Sequence, residues 1–231
     1  MDQKGYDELW VIARREERLK ELQAQCRTPV RVMVLDLMER ESFGTYKDAL
    51  AEHQPEIQVL VNAAGFGVFG TFMEMNLDQQ LDIIELNDKA LTAMSYLSVP
   101  YMPAGSDIVN LASNSSWQPV PYINVYGASK AYVMSFSRAL GVELKTKGIH
   151  VMAVAPGWIK TEFFDTAIHD DTIKYFDRFY TAKQVIDKAM KDLAKKKAVS
   201  ILGLPVYAQV KLIKHLPVSL GMKIWCGQQK K

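Results

Sequence analysis

Apolar residues fall into short unbroken runs separated by amphipathic stretches. ELWVIA (8–13), VRVMVLDL (30–37), IQVLVN (57–62), DIVNLAS (107–113) and IHVMAVAP (149–156) are rich in Val, Ile and Leu and do not alternate with polar residues. Runs of this kind belong to parallel strands buried on both faces. Between them, the stretch ending near Gln25, Ser42 to His53, Leu77 to Tyr101 and Val125 to Lys147 carry helical spacing. Thr181 reads as the N-cap of a helix through Lys195, and Ala198 to Gly203 as a last short strand. Strands alternating with helices of this length predict an α/β fold, a doubly wound parallel sheet of Rossmann type with helices on both faces. Ligands bind such sheets beyond the carboxyl ends of the strands. Attention therefore falls on Arg14, Asp36, Asn62 to Gly65, Ser113 and Pro156 to Gly157.

Composition narrows this picture. The chain has 231 residues, 48% of them hydrophobic, enough for one sizeable domain. A net charge of +2 gives no field that favours nucleic acid. Cys26 and Cys226 stand far apart and read as reduced thiols of a cytoplasmic protein. His53, His150, His169 and His215 are scattered without metal-ligand spacing, so no metal site is expected. No apolar run approaches a membrane span, and the polar start resembles no signal peptide. Residues 195–231 hold eight lysines and no Asp or Glu. This predicts a basic helical extension, 204–231, of the domain at 1–203. It would cover part of the core or make a subunit contact; contact with a membrane surface or an acidic partner is the rival.

The candidate chemistry lies in YGASK. Tyr126 and Lys130 are four apart in a helical segment and share a face. A nearby ammonium favours the phenolate, so the pair is expected to lower the tyrosine pKa and to act as a general acid/base. Ser113 lies thirteen residues earlier at a strand end, with Ser115 and Ser116 as rivals. NAAG (62–65), Asn87 in IELNDKAL, the serine of IVNLAS, YGASK (126–130) and PGWIKT (156–161) occur in this order. With these motifs the sequence, from about Leu9 to Gly203, resembles the classical short-chain dehydrogenase/reductase family.

That resemblance implies hydride transfer between a nicotinamide cofactor and a ketone or secondary alcohol. It implies that Tyr126 exchanges a proton with the carbonyl oxygen and that Ser113 hydrogen-bonds that oxygen. Lys130 would tune the tyrosine and hold the nicotinamide ribose. Asn87 would bind a water of the proton relay. Thr161 and the Ile159 backbone, after Pro156 and Gly157, would hold the carboxamide. Asp36 would take the adenine amino group, with Leu37 beside it in the same site. Asn62, Ala63, Ala64 and Gly65 would line the adenosine ribose, the small residues allowing backbone approach. Asn87 also reads as a plain surface amide, and Asp36 as a turn residue.

Cofactor choice turns on Arg14 and Arg15, where an acidic residue would select NAD. A guanidinium suits a 2′-phosphate, so NADP is expected over NAD. The resemblance makes EFFDTAIHDDTIKYFDRFY (162–180) the substrate-covering segment. Phe163, Phe164, Tyr175, Phe176, Phe179 and Tyr180, flanked by Trp117 and Trp158, predict an apolar pocket for a steroid-, acyl- or aromatic-type carbonyl. The competing expectation is that half of these rings pack on the core. The resemblance also implies homodimers or homotetramers. The family's glycine-rich TGxxxGxG turn and the central strand before it have no counterpart ahead of ELWVIA, where Gly5 is the only glycine before Gly44. The expectation is that this strand lies outside the sequence, that the flanking strands pair directly, or that another segment replaces it. The alternative to an enzyme is a non-catalytic binding protein of the same fold, deficient in cofactor binding.

Overall fold

The computed structural model describes residues 2, 5–167 and 172–230, and they divide into two compact units, one up to His53 and one from Gln54 onward. In the first unit β1 (Leu9–Ala13) leads into α1 (Glu16–Gln25), β2 (Val30–Val34) and α2 (Arg40–His53). β1 and β2 pair in parallel, from Leu9 opposite Val30 to Ala13 opposite Val34. A parallel pair needs a crossover, and α1 supplies it, burying Leu19. α2 buries Tyr46 and Leu50, and its Ser42 hydroxyl donates to the Asp36 carbonyl at 2.6 Å.

The second unit runs β3 (Val59–Asn62), α3 (Leu77–Ile84), a π-helical turn (Glu85–Ala90), α4 (Leu91–Ser98), β4 (Asp107–Leu111) and a 3₁₀ turn (Asn114–Trp117). Then follow α5 (Asn124–Glu143), β5 (His150–Val154), β6 (Trp158–Lys160), α6 (Phe163–Ala167), β7 (Phe179–Thr181) and α7 (Ala182–Leu193). β8 (Val199–Ser200), α8 (Leu204–Ile213) and α9 (Val218–Gln228) complete it. A four-stranded sheet, ordered β3–β4–β5–β8, pairs in parallel throughout. β6 and β7 form a separate parallel pair.

β5 is buried from Val151 to Val154, which explains its unbroken apolar run. Its alternate residues serve opposite faces. Ala153 packs with Ala112, Leu91, Val133 and Met134 on the side of α4 and α5. Met152 and Val154 pack with Val185, Ala189 and Leu193 of α7 on the other. Polar side chains stitch the first of these faces. The Asn62 amide donates to Ser95 Oγ (3.0 Å) and Asn110 Oδ1 (2.9 Å), and the Asn110 amide donates to Ser137 Oγ (2.9 Å). A hydrogen-bonded network of this kind favours one packing of strands on helices.

Three segments differ from the sequence expectation. The single helix expected from Leu77 to Tyr101 is broken by the π-helical turn and ends in a 3₁₀ turn, Val99–Tyr101, with Pro100 near its start. The last strand shortens to Val199–Ser200, and the chain turns away at Gly203, whose φ of +91° suits glycine. β6 and β7 are too short to leave a periodic signal. Thr181 caps α7 as expected, in a reciprocal capping box with Gln184. The basic extension folds as α8 and α9. Trp225 Nε1 donates to the Pro121 carbonyl (2.9 Å), and Gln229 Oε1 accepts from the Lys174 and Tyr175 amides (3.0 Å each). No helix among the described residues is long and apolar enough to cross a membrane.

Asp192 near the end of α7 is buried. Its carboxylate accepts from Lys188, Lys197 (2.8 Å) and Ser200 Oγ (2.8 Å). Burial raises its pKa, but these hydrogen bonds and the Lys188 charge outweigh that and hold it at about 2. A carboxyl held below its unfolded value of 3.8 adds stability that is full above that pH and is lost as pH falls through about 2. Asp192→Asn is therefore expected to cost about 2 kcal/mol at pH 7. Urea denaturation should show that gap closing between pH 4 and pH 2; a gap that stays constant would refute the ionic account.

Candidate active site

The site in the second unit grows from the end of β4. Two residues past Leu111, Ser113 caps the 3₁₀ turn: its hydroxyl accepts from the Ser115 amide (3.2 Å). Ser116 Oγ accepts from the Ser113 amide (3.3 Å) and donates to the Lys130 carbonyl (2.7 Å), tying this turn to α5. Ser116 is thereby committed to the frame. Ser113 is the serine that acts on the Tyr126 phenol, drawing its pKa down.

Tyr126 lies in the first turn of α5, with Lys130 one turn on. The Lys130 ammonium sits 5.7 Å from the centre of the Tyr126 ring and donates to the Leu111 carbonyl at 2.9 Å. That is its one hydrogen bond among the described residues. Burial pushes the Tyr126 pKa up to about 12, only partly offset by Ser113. This corrects the expected lowering. The lysine lies beside the ring and bonds the strand end, so desolvation wins. Burial likewise lowers Lys130 to about 8, against the raising influence of Asp88.

Asn87 is 1% exposed, which removes the surface-amide reading. It stands in the π-helical turn. Its Oδ1 accepts from the Phe66 amide (3.1 Å), and its amide donates to the Phe66 carbonyl (3.0 Å) and Ser129 Oγ (2.9 Å). Two glycines let the loop after β3 come this close. A Cβ on Gly65 would stand 2.6 Å from Asn87 Oδ1 and 3.3 Å from Lys130 Nζ; one on Gly67 would stand 2.6 Å from the Tyr126 ring. Gly67 and Asp88 escaped the sequence reading. Gly67 lies just past the NAAG motif, and Asp88 in IELNDKAL looks like an ordinary helix-surface carboxylate. Ala63, Ala64 and Gly65 are exposed beyond β3, whereas the Asn62 amide turns into the core network.

The remaining residues are placed as follows. Pro156 is buried and its carbonyl accepts from the Asn114 amide (2.8 Å); Gly157 follows it. Ile159 is half-buried against Val154 and Val185, and Thr161 is exposed, its hydroxyl accepting from the Phe163 amide (3.3 Å). In the first unit Arg14 pairs with Asp36 at 3.4 Å, Asp36 also accepts from the Met38 amide (3.0 Å), and Leu37 is buried.

The aromatic segment packs largely on itself. Phe163 lies against Tyr126 with ring centres 5.4 Å apart. Phe164, Phe176 and Trp158 form edge contacts around Phe69, Ile173 and Trp225, as the core-packing expectation had it. Trp117 belongs to the cluster around Leu91 and Val133, under Lys214, whose ammonium is 3.9 Å from its ring centre. Tyr175 and Phe179 are exposed, and the Tyr180 hydroxyl is buried over Gly203 without a partner. Residues 168–171 of this segment, His169 included, lie outside the described residues.

Known proteins resemble this chain in sequence and fold. The sequence model described as short chain dehydrogenase matches residues 1–172. Sulfoacetaldehyde reductase 2 of Chromohalobacter salexigens is 36% identical over 161 residues, 67% of this chain and 64% of that protein. The very-long-chain 3-oxoacyl-CoA reductase of Anas platyrhynchos is 35% identical over 162 residues, 66% of this chain and 52% of that protein. The match thus spans less than two thirds of the length of these relatives. Among solved structures, a short-chain dehydrogenase from Sphingobium yanoikuyae in complex with NADPH superposes with a TM-score of 0.79. It is 26% identical, and the match covers 96% of this chain and 87% of that one.

In the free protein, Tyr126 is expected to keep its proton up to about pH 12. Tyrosinate absorbance, compared between the wild type and Tyr126→Phe, should show no difference below pH 10. A difference band rising near pH 8 would restore the lowered value.

Proposed function

Because the chain belongs to the short-chain dehydrogenase family, a family of oxidoreductases, we propose that it transfers hydride between NADP and an apolar ketone or secondary alcohol. The observation that carries this reading is the Lys130 ammonium 5.7 Å from the centre of the Tyr126 ring, with Ser113 drawing the pKa of the same phenol down. A phenol that holds its proton at neutral pH is an acid ready to protonate a carbonyl oxygen, which favours reduction. Ser113 would orient that oxygen. Lys130, with one of its three donors used, keeps two for a ribose. Asn87 is proposed to stand at the start of the relay that returns a proton to Tyr126.

The residues present fit a dinucleotide. Ala63, Ala64 and Gly65 leave exposed backbone beyond β3, and Lys130 holds spare donors. Pro156, Gly157, the Ile159 backbone and Thr161 are proposed for the carboxamide, and Asp36 and Leu37 for the adenine. The nicotinamide, when bound, supplies the hydride. The NADP preference rests on Arg14, whose exposed guanidinium suits a phosphate dianion. The apolar substrate rests on Phe163 beside Tyr126, backed by the aromatic cluster. The duck relative is named for an acyl substrate, which agrees with an acyl-type carbonyl. Self-association, a cytoplasmic setting and a 204–231 extension within one domain complete the reading. Exposed Tyr96 and Val142 support the first.

NADPH fluorescence and melting temperature should both respond to micromolar to millimolar cofactor. No response in either at millimolar NADPH would leave only a non-catalytic protein of this fold. Tyr126→Phe is expected to keep cofactor binding and to lower reductase turnover at least about 100-fold; full turnover would sink the mechanism. Arg14→Ala is expected to weaken NADPH about 10-fold more than NADH, and equal weakening would remove the NADP preference.

A further inference from the structure

α8 and α9 keep apolar side chains on their solvent side. A surface helix normally turns charged residues outward, as α7 does with Lys183, Asp187 and Lys191. α8 buries Val206 and Val210. It exposes Leu204, Tyr207, Ala208, Lys211, Leu212 and His215, which follow one another at the spacing of a single helix face. Leu204 is 84% exposed and Leu212 61%. α9 buries Gly221 and exposes Val218, Leu220, Lys223 and Ile224. The two helices are joined by the short turn 214–217. Aliphatic side chains gathered on solvent-facing stripes in this way mark a contact surface.

Charge says what the surface fits. Lys211 and Lys223 lie within the exposed stripes, Lys214 in the turn between the helices and Lys230 past the end of α9. Lys211 stands over the Tyr207 ring (5.0 Å) and Lys214 over Trp117 (3.9 Å), contacts that leave each ammonium charged. None of these four lysines has an ion-pair partner among the described residues, and 195–231 contains no Asp or Glu. Lys196 and Lys197, by contrast, are paired with Asp107 and Asp192. Another exposed apolar stripe, Leu77, Leu81 and Ile84 of α3, carries Asp78 and Asp82 instead. The face of α8 and α9 is thus apolar and positive, and its complement is apolar and negative. A two-fold pairing of this face with a second copy would set lysine against lysine. Lysines interspersed with aliphatic side chains suit a headgroup layer, where lysine stems pass the apolar neighbours and end on phosphates.

We propose that α8 and α9 are a docking face for an anionic lipid surface, with the lysines on headgroup phosphates and Leu204, Leu212, Val218, Leu220 and Ile224 at the headgroup–acyl boundary. The same helix pair frames the proposed site. A Cβ on Gly221 would stand 2.6 Å from Gln118 Oε1, and Trp225 Nε1 bonds the Pro121 carbonyl (2.9 Å), both partners lying between Ser113 and Tyr126. Gln229 Oε1 holds the Lys174 and Tyr175 amides of the aromatic segment. A carbonyl compound apolar enough to dissolve in a bilayer would reach the protein from that side. The choice of lipid over an acidic protein rests in part on the apolar-substrate reading; the docking itself is measured without turnover.

The test is co-sedimentation of the full chain with vesicles of phosphatidylcholine alone or of phosphatidylcholine with phosphatidylglycerol, at low and high salt. Binding is expected on the anionic vesicles only, and to weaken as salt is raised. Lys211→Gln with Lys223→Gln should weaken it about 30-fold. Lys183→Gln with Lys191→Gln, which removes the same charge from α7, should leave it unchanged. Leu212→Ser with Ile224→Ser should weaken it at least about 10-fold. All these side chains are exposed, so circular dichroism and melting temperature should match the wild type. Equal binding to neutral vesicles, no binding to either, or equal loss in the α7 variant overturns the proposal. Vesicle binding that survives Leu212→Ser with Ile224→Ser and is matched by soluble polyglutamate would show contact through charge alone, as with an acidic protein, and also overturns it. So does sedimentation velocity showing a dimer that the same leucine and isoleucine substitutions dissolve, with no vesicle binding, because a second copy would then cover the face. Vesicle binding as stated in a chain without reductase activity would overturn the catalytic reading alone.

Discussion

The Lys130 ammonium donates to the Leu111 carbonyl at the last residue of β4, and the site is organised around that bond. A buried ammonium must find an acceptor, and the carbonyl at a parallel strand end is unpaired by geometry. Satisfying it clamps the inner face of α5 onto the carboxyl end of the sheet. Ser113, two residues past Leu111, is then carried to the Tyr126 phenol, and Ser116 closes the turn on the Lys130 carbonyl. Gly65 and Gly67 follow from the same closeness, because a Cβ at either would strike Asn87 or Tyr126.

Burial, more than pairing, sets the proton states. Tyr126 is pushed up to about 12, Lys130 down to about 8 and Asp88 up to about 6, with desolvation the largest cause in each. The site therefore holds a neutral phenol beside an ammonium near its titration point. On the proposed reading, that state suits an acid awaiting a carbonyl better than a base awaiting an alcohol. It also makes the site sensitive to any group that adds or removes charge near Lys130.

Much of the architecture was legible because it depends on local pattern. Unbroken Val/Ile/Leu runs marked strands buried on both faces, and β5 is such a strand. Thr181 marked a helix start, which the structure realises as a capping box with Gln184. Tyr126 and Lys130 shared a helix face on spacing alone, and Ser113 stood at a strand end. The features that escaped have no periodic signature. The π-helical turn adds one residue to a helix whose composition reads as continuous. The aromatic run after Thr161 looked like a pocket wall, but its rings found one another at 5 to 6 Å, which only the packing reveals.

The sequence by itself determined the alternation of strands and helices, the family and the candidate set of Ser113, Tyr126 and Lys130. Hydrophobic period and motif spacing are properties of the chain. Tertiary structure decided how those groups stand to one another in energy. The Tyr126 phenol is more acidic or less acidic according to whether Lys130 faces its oxygen or the Leu111 carbonyl. Asp88 is a surface charge or a buried one according to how the helix is wound at Asn87. Both turn on burial and on distances of a few ångströms across the fold, where Coulomb and desolvation energies vary steeply.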